Sequence, residues 1–164
     1  MVSVRMSVVP LAFAILTLSA RDAAADDRAL LAGMKEGKVV YDITEGDGKA
    51  LLVRLESIEE TRQDLIKLGV TPRFVLSFRG PATLLVQSDL EKVKPEARPF
   101  AAQIAAMLAQ MGRSSGFESL EQCAVAIRHA GTKAEDVVAP VKVVANSFIT
   151  IMVWQAKGYA YIRA

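Results

Sequence analysis

Two spacings of apolar residues alternate along this chain, and each switch between them marks a change of element. Residues 38–44 (Lys-Val-Val-Tyr-Asp-Ile-Thr) form a compact β-rich run of nearly continuous apolar character, the pattern of a strand covered on both faces. Glu45-Gly46-Asp47-Gly48 breaks the run, and Asp47 is placed to cap the helix that follows. From residue 49 to about 68, Leu51, Leu52, Leu55, Ile58, Leu65, Ile66 and Leu68 recur at three- and four-residue steps with charged residues between them. That spacing predicts an amphipathic helix, ended by Gly69 and barred from continuing by Thr71-Pro72. A second strand covers 73–79 and stops at Gly80-Pro81, while 83–90 fits strand or helix equally well.

Pro95–Pro99 leads into a helix over about 100–111, with Ile104, Ala105, Leu108 and Met111 along one side. A turn at 112–116 precedes a third, weakly hydrophobic strand at 117–122, which ends at Cys123. One or two helical turns at 124–130 close on Gly131, and a short turn at 134–138 precedes Pro140. A fourth strand covers 141–145, a helix capped by Asn146-Ser147 runs to about 157, and Gly158 separates it from a fifth strand at 159–163. Strict alternation of strand and helix implies right-handed crossovers. The expected fold is a three-layer α/β domain with a mainly parallel five-stranded sheet and helices on both faces.

The start of the chain follows neither spacing. Arg5 without a nearby acid, an apolar run over about 7–20 and Ala23-Ala24-Ala25 have the form of a secretory signal peptide cleaved after Ala25. The run is too short for a comfortable membrane span and is interrupted by Pro10. The expected organisation is therefore a signal peptide at 1–25, a lead-in at 26–37 holding at most a turn of helix, and the α/β domain at 38–164. The mature protein is expected in the periplasm or secreted, with no stable membrane insertion. Hydrophobic residues make up 52% of the chain, which excludes disorder, and Lys+Arg 20 against Asp+Glu 18, interspersed, gives no basis for binding nucleic acid.

One cysteine, Cys123, and one histidine, His129, restrict the chemistry further. An exported chain with a single thiol holds no internal disulfide, no C-x-x-C redox pair and no Cys-rich or multi-histidine metal site, so no metal is expected. In a parallel sheet, reactive groups gather beyond the carboxyl ends of the strands. Cys123 stands at such an end, where a strand turns into a helix whose positive N-terminus favours the thiolate. The competing reading is a buried, inert cysteine acting as a small hydrophobe. His129, six residues on, lies about 240° around the helix and is expected at the surface, not in a Cys–His pair. Arg79 and Asn146, at two other strand ends, are candidate substrate-binding residues; a guanidinium suits an anionic sulfur compound. Residues 44–48 lack the spacing of a phosphate or EF-hand loop, and no G-x-S-x-G, Walker or Rossmann signature occurs, so no cofactor is expected. Trp154, Tyr159 and Tyr161 are expected to pack in the core or at a subunit interface.

The segment Leu120-Glu121-Gln122-Cys123-Ala124-Val125-Ala126-Ile127-Arg128-His129-Ala130-Gly131 resembles the strand–Cys–helix–Gly element of the DsrE/DsrF-like family of sulfur-relay proteins. The opening strand with its polar turn, the helix ending in Leu68-Gly69-Val70 and the region 143–154 are similar to that family as well. The resemblance implies a flavodoxin-like fold, homo- or hetero-oligomers (a homo-oligomer is expected), and a cysteine, here Cys123, that carries sulfane sulfur as a persulfide. Its partners would be a sulfur donor or acceptor protein or a small sulfur compound. One departure stands out: well-understood relay members are cytoplasmic, whereas this chain begins with the form of an export signal, and a thiolate in an oxidising compartment is open to oxidation.

Overall fold

The computed structural model describes residues 27–164, so the signal peptide expected at 1–25 lies outside the described residues. Residues 27–33 form turns, with Leu31 N–H donating to the Asp27 carbonyl at 3.0 Å, the single loose turn expected of the lead-in. The first strand, β1 (Glu36–Ile43), begins two residues earlier than its apolar run. Helix α1 (Gly48–Lys67) starts where expected, because Asp47 accepts a hydrogen bond from Ala50 N–H at 2.8 Å. Strand β2 (Thr71–Phe78) follows. The ambiguous stretch 83–90 is neither strand nor regular helix: its first part belongs to a 3-10 segment, Gly80–Val86, and Gln87 then forms an isolated bridge with Val137. The buried face of the 3-10 segment, Ala82, Leu85 and Val86, reaches the core without the length of a full helix.

Helix α2 (Arg98–Met111), strand β3 (Phe117–Cys123) and helix α3 (Ala124–Ala130) follow. Gly131 closes α3 at φ 64, a left-handed conformation that strains any residue with a Cβ. Strand β4 is only Lys142–Val144, shorter than its apolar run; α4 (Ser147–Ala156) and β5 (Ala160–Arg163) complete the chain.

The five strands are all parallel, in the order β4-β3-β2-β1-β5. Three consecutive crossovers step one strand in the same direction. Right-handed connections therefore put α1, α2 and α3 on one face, and the single return from β4 to β5 puts α4 on the other. The contacts agree: α1 packs on α2, α2 and α3 pack on the 3-10 segment, and α4 lies against β1, β2, β3 and β5. The architecture is a three-layer α/β domain of the flavodoxin-like class, as the alternation of elements implies.

The two faces are unequal. Under α1 and α2 lies a large cluster including Ile43, Leu51, Leu55, Phe74, Phe78, Ile104, Leu108 and Leu120; under α4 lies a small one of Val40, Val75, Ile151 and Tyr159 with Trp154 beside it. Phe74 anchors the large cluster, fully buried and edge-on to Tyr41 at 5.3 Å and to Phe117 at 6.1 Å. Phe74→Ala is expected to lower unfolding free energy by about 3–5 kcal/mol in urea denaturation, because removing a fully buried ring loses its transfer free energy and leaves a cavity. A loss below about 1 kcal/mol would contradict this account of the core.

Candidate functional site

The strand order concentrates polar groups at one place. β3 and β4 are neighbours, with Cys123 opposite Val144 at their last paired position. The connections after them leave toward opposite faces, β3 into α3 and β4 into α4. Such a topological switch point opens a crevice beyond the carboxyl ends of the strands. Here the crevice is an open cleft of about 570 Å³. Pro81 and Leu84 of the 3-10 segment, Val125, Ala126 and Ala130 of α3, and Phe148 of α4 supply its mainly apolar lining; Arg79, Cys123, His129, Asn146 and Ser147 supply the polar groups.

Cys123 is the last residue of β3 and the N-cap of α3. It is only 4% exposed and forms part of the cleft wall. Asn146 caps α4, its Oδ1 accepting from Phe148 N–H at 3.0 Å. That cap starts α4 so that Ser147 N–H donates to Cys123 Sγ at 3.4 Å. Burial pushes the Cys123 thiol up, but the Ser147 hydroxyl and the backbone N–H groups of Ser147, Ala126 and Val125 favour the thiolate more strongly, and the net shift is downward. Ser147 Oγ is itself buried and makes no geometrically complete hydrogen bond.

Arg79 follows β2 directly and turns back across the sheet. Its Nε and Nη2 donate to Asp42 Oδ1 and Oδ2 at 2.7 and 2.5 Å, and Tyr161 Oη donates to the same Oδ2 at 2.8 Å. Asp42 is buried, and its hydrogen bonds with Arg79 hold the guanidinium above its ordinary pKa. The guanidinium also lies 4.9 Å from the centre of the Phe148 ring. Nη1 is left as the donor edge not engaged by Asp42.

The three site residues expected from sequence, Cys123, Arg79 and Asn146, thus line one cleft. His129 is exposed, as expected, but stands on the rim of the same cleft and makes no hydrogen bond to Cys123. Among the described residues no group of three His, Cys, Asp or Glu side chains is arranged to hold a metal. Sequence reasoning missed Ser147 as the donor to sulfur and Asp42 and Tyr161 as the holders of Arg79. Asp42 did carry a signal, being an acid inside an otherwise apolar strand. Trp154 packs edge-on to Tyr159 at 4.8 Å and donates from Nε1 to the buried Glu121 at 3.1 Å, whereas Tyr161 remains largely exposed. Asp42→Ala is expected to destabilise the fold by about 1–3 kcal/mol, a charged hydrogen-bond pair being lost while Arg79 can still reach solvent. Thermal denaturation of the variant measures this, and an unchanged midpoint would contradict it.

Comparison with known proteins locates the fold and not the chemistry. No family model matches the chain. An uncharacterized protein of Aquifex aeolicus (strain VF5) is 28% identical over 125 residues, covering 76% of this chain and 55% of that protein, so the chain spans about half the length of this curated relative. The solved structure of MTH1491, a protein of unknown function from Methanobacterium thermoautotrophicum, superposes with a TM-score of 0.56 at 20% identity. It covers 79% of this chain and 99% of its own, which makes this chain similar to it in fold.

Proposed function

We propose that this chain is an exported DsrE-like protein that accepts sulfane sulfur on Cys123 as a persulfide and passes it to a thiol on another molecule. The observation that supports the reading most strongly is the Ser147 N–H directed at Cys123 Sγ in the wall of an open cleft. In the first step the Cys123 thiolate attacks the outer sulfur of a donor such as thiosulfate. A new S–S bond forms, the donor's S–S bond breaks, and sulfite leaves with the bonding electron pair. In the second step an acceptor thiolate attacks the outer sulfur of the persulfide, and the Cys123 thiolate is the leaving group. The chain has one thiol, so the sulfur departs to another molecule, as in a carrier. Ser147 N–H stabilises the thiolate at the start and end of the cycle, and Arg79 supplies positive charge beside anionic donors.

A second reading, a non-catalytic binding or assembly subunit, is favoured by the low exposure of Cys123. Intact-mass measurement after separate incubations with thiosulfate, polysulfide and an organic hydropersulfide separates the two. The carrier reading expects a gain of one or more sulfur atoms, reversible by reductant and missing from Cys123→Ser; no gain in the folded wild type from any of the three donors would refute it.

Self-association belongs to the same proposal. Phe148, Ile149 and Met152 of α4 are each more than half exposed, and no charged residue interrupts the chain between Lys142 and Lys157. Such an exposed apolar stretch of helix can meet a second copy of itself across a two-fold axis. Sedimentation is expected to show an oligomer that Met152→Glu shifts toward monomer; a monomeric wild type would remove this part of the proposal.

A further inference from the structure

The cleft is much larger than the sulfur atom it would serve. Its volume of about 570 Å³ falls in the range of pockets that enclose organic ligands, roughly 300–1,000 Å³, whereas a water molecule occupies about 30 Å³ in the liquid. An inorganic donor is small, strongly hydrated and charged throughout. It would leave most of this space filled by water against Leu84, Val125, Ala130 and Phe148.

The polar groups, by contrast, sit together. Cys123, Ser147 and Arg79 all line the cleft, and the buried Ser147 Oγ makes no geometrically complete hydrogen bond. The hydroxyl of Ser147, a residue 1% exposed, favours the resting Cys123 thiolate and is a rotor that can turn to an acceptor entering beside Sγ. The guanidinium has its Nε and Nη2 committed to Asp42, which leaves Nη1 for an anion. A molecule matching this arrangement has a polar or anionic sulfur head and an apolar body.

We infer that the cleft selects an organic hydropersulfide, R–S–SH with an apolar R group, as its sulfur donor in preference to inorganic polysulfide or thiosulfate. This inference rests on the carrier reading above and assigns its substrate class. The Cys123 thiolate attacks the outer sulfur of R–S–SH, the new S–S bond forms as the old one breaks, and R–S⁻ leaves with the electron pair. The hydropersulfide proton stays on the transferred sulfur or moves to R–S⁻, so the exchange needs no oxidant or reductant. Ser147 Oγ and Arg79 receive the sulfur head, and the apolar walls hold R.

Two measurements on the full mature chain test it. The first follows modification of Cys123 by alkyl methanethiosulfonates of increasing chain length, each rate divided by that of N-acetylcysteine with the same reagent. Burial of each added methylene is favourable, so the normalised rate is expected to rise about tenfold or more from methyl to butyl. Leu84→Gln and Ala130→Gln, two separate variants, are each expected to flatten this dependence. The second compares persulfide formation on Cys123, by intact mass, from an aryl hydropersulfide and from inorganic polysulfide at equal sulfane sulfur. A rising chain-length dependence together with preference for the organic donor supports the inference. Persulfide formation from both donors at equal rates with no chain-length dependence overturns it and leaves the carrier reading intact. A chain-length dependence with no persulfide from any donor overturns the carrier reading, and with it the assignment of a sulfur donor.

Discussion

Parallel pairing of β3 with β4, followed by connections that leave toward opposite faces, is the constraint from which the site is built. It sets the end of β3 against the start of α4, and so puts Cys123 Sγ 3.4 Å from Ser147 N–H. The same divergence of loops opens the cleft, because neither α3 nor α4 can cover the gap between them. Were β4 to enter a helix on the α3 side, the crevice would close and the sulfur would lose the Ser147 donors, keeping only the α3 amides of Val125 and Ala126. Burial would then be opposed by fewer donors to the thiolate.

The unequal faces of the sheet complement this arrangement. The large cluster under α1 and α2 holds β1, β2 and β3 in register, and their carboxyl ends therefore stand as a fixed platform. The opposite face, under α4, has only a small apolar cluster and carries the polar contacts instead: Asp42 with Arg79 and Tyr161, and Glu121 with Trp154. The Asp42 network ties residues of β1 and β5 to Arg79, just beyond β2, and thereby fixes the cation beside the cleft. A buried carboxylate holding an arginine in a bidentate pair costs desolvation, and its contribution here is the placement of a charge more than stability.

Much of the fold was legible in the sequence because local signals agreed with the final structure. Asp47 and Asn146 cap the helices they precede, and Gly69, Gly131 and Gly158 stand at positive φ just after helix ends. All five strands occur where the apolar runs place them. The segment 83–90 was not legible, since a 3-10 segment with three buried apolar residues has neither the period of a strand nor the length of a helix. The short β4 was over-extended because apolar Val141 and Ala145 flank it without pairing. The strand order is a property of crossover directions, on which local spacing is silent. For that reason Cys123, Arg79 and Asn146 could each be proposed from its strand end, while Ser147, Asp42 and Tyr161 act through contacts between elements far apart in the chain.

The central claim is that folding makes the buried sulfur more acidic, and an ultraviolet titration of thiolate absorbance tests it most directly. Cys123 is the chain's one thiol, so subtracting the same titration of Cys123→Ser leaves its signal alone. A lowered thiol pKa populates the thiolate at lower pH. By linkage it contributes to stability above the unfolded thiol's pKa, a contribution lost as pH falls through the folded value. The account predicts a midpoint below the ordinary cysteine value of about 8.5, moved upward by Ser147→Ala. A midpoint at or above that value in the folded wild type would mean that burial outweighs the Ser147, Ala126 and Val125 donors, and would contradict the account.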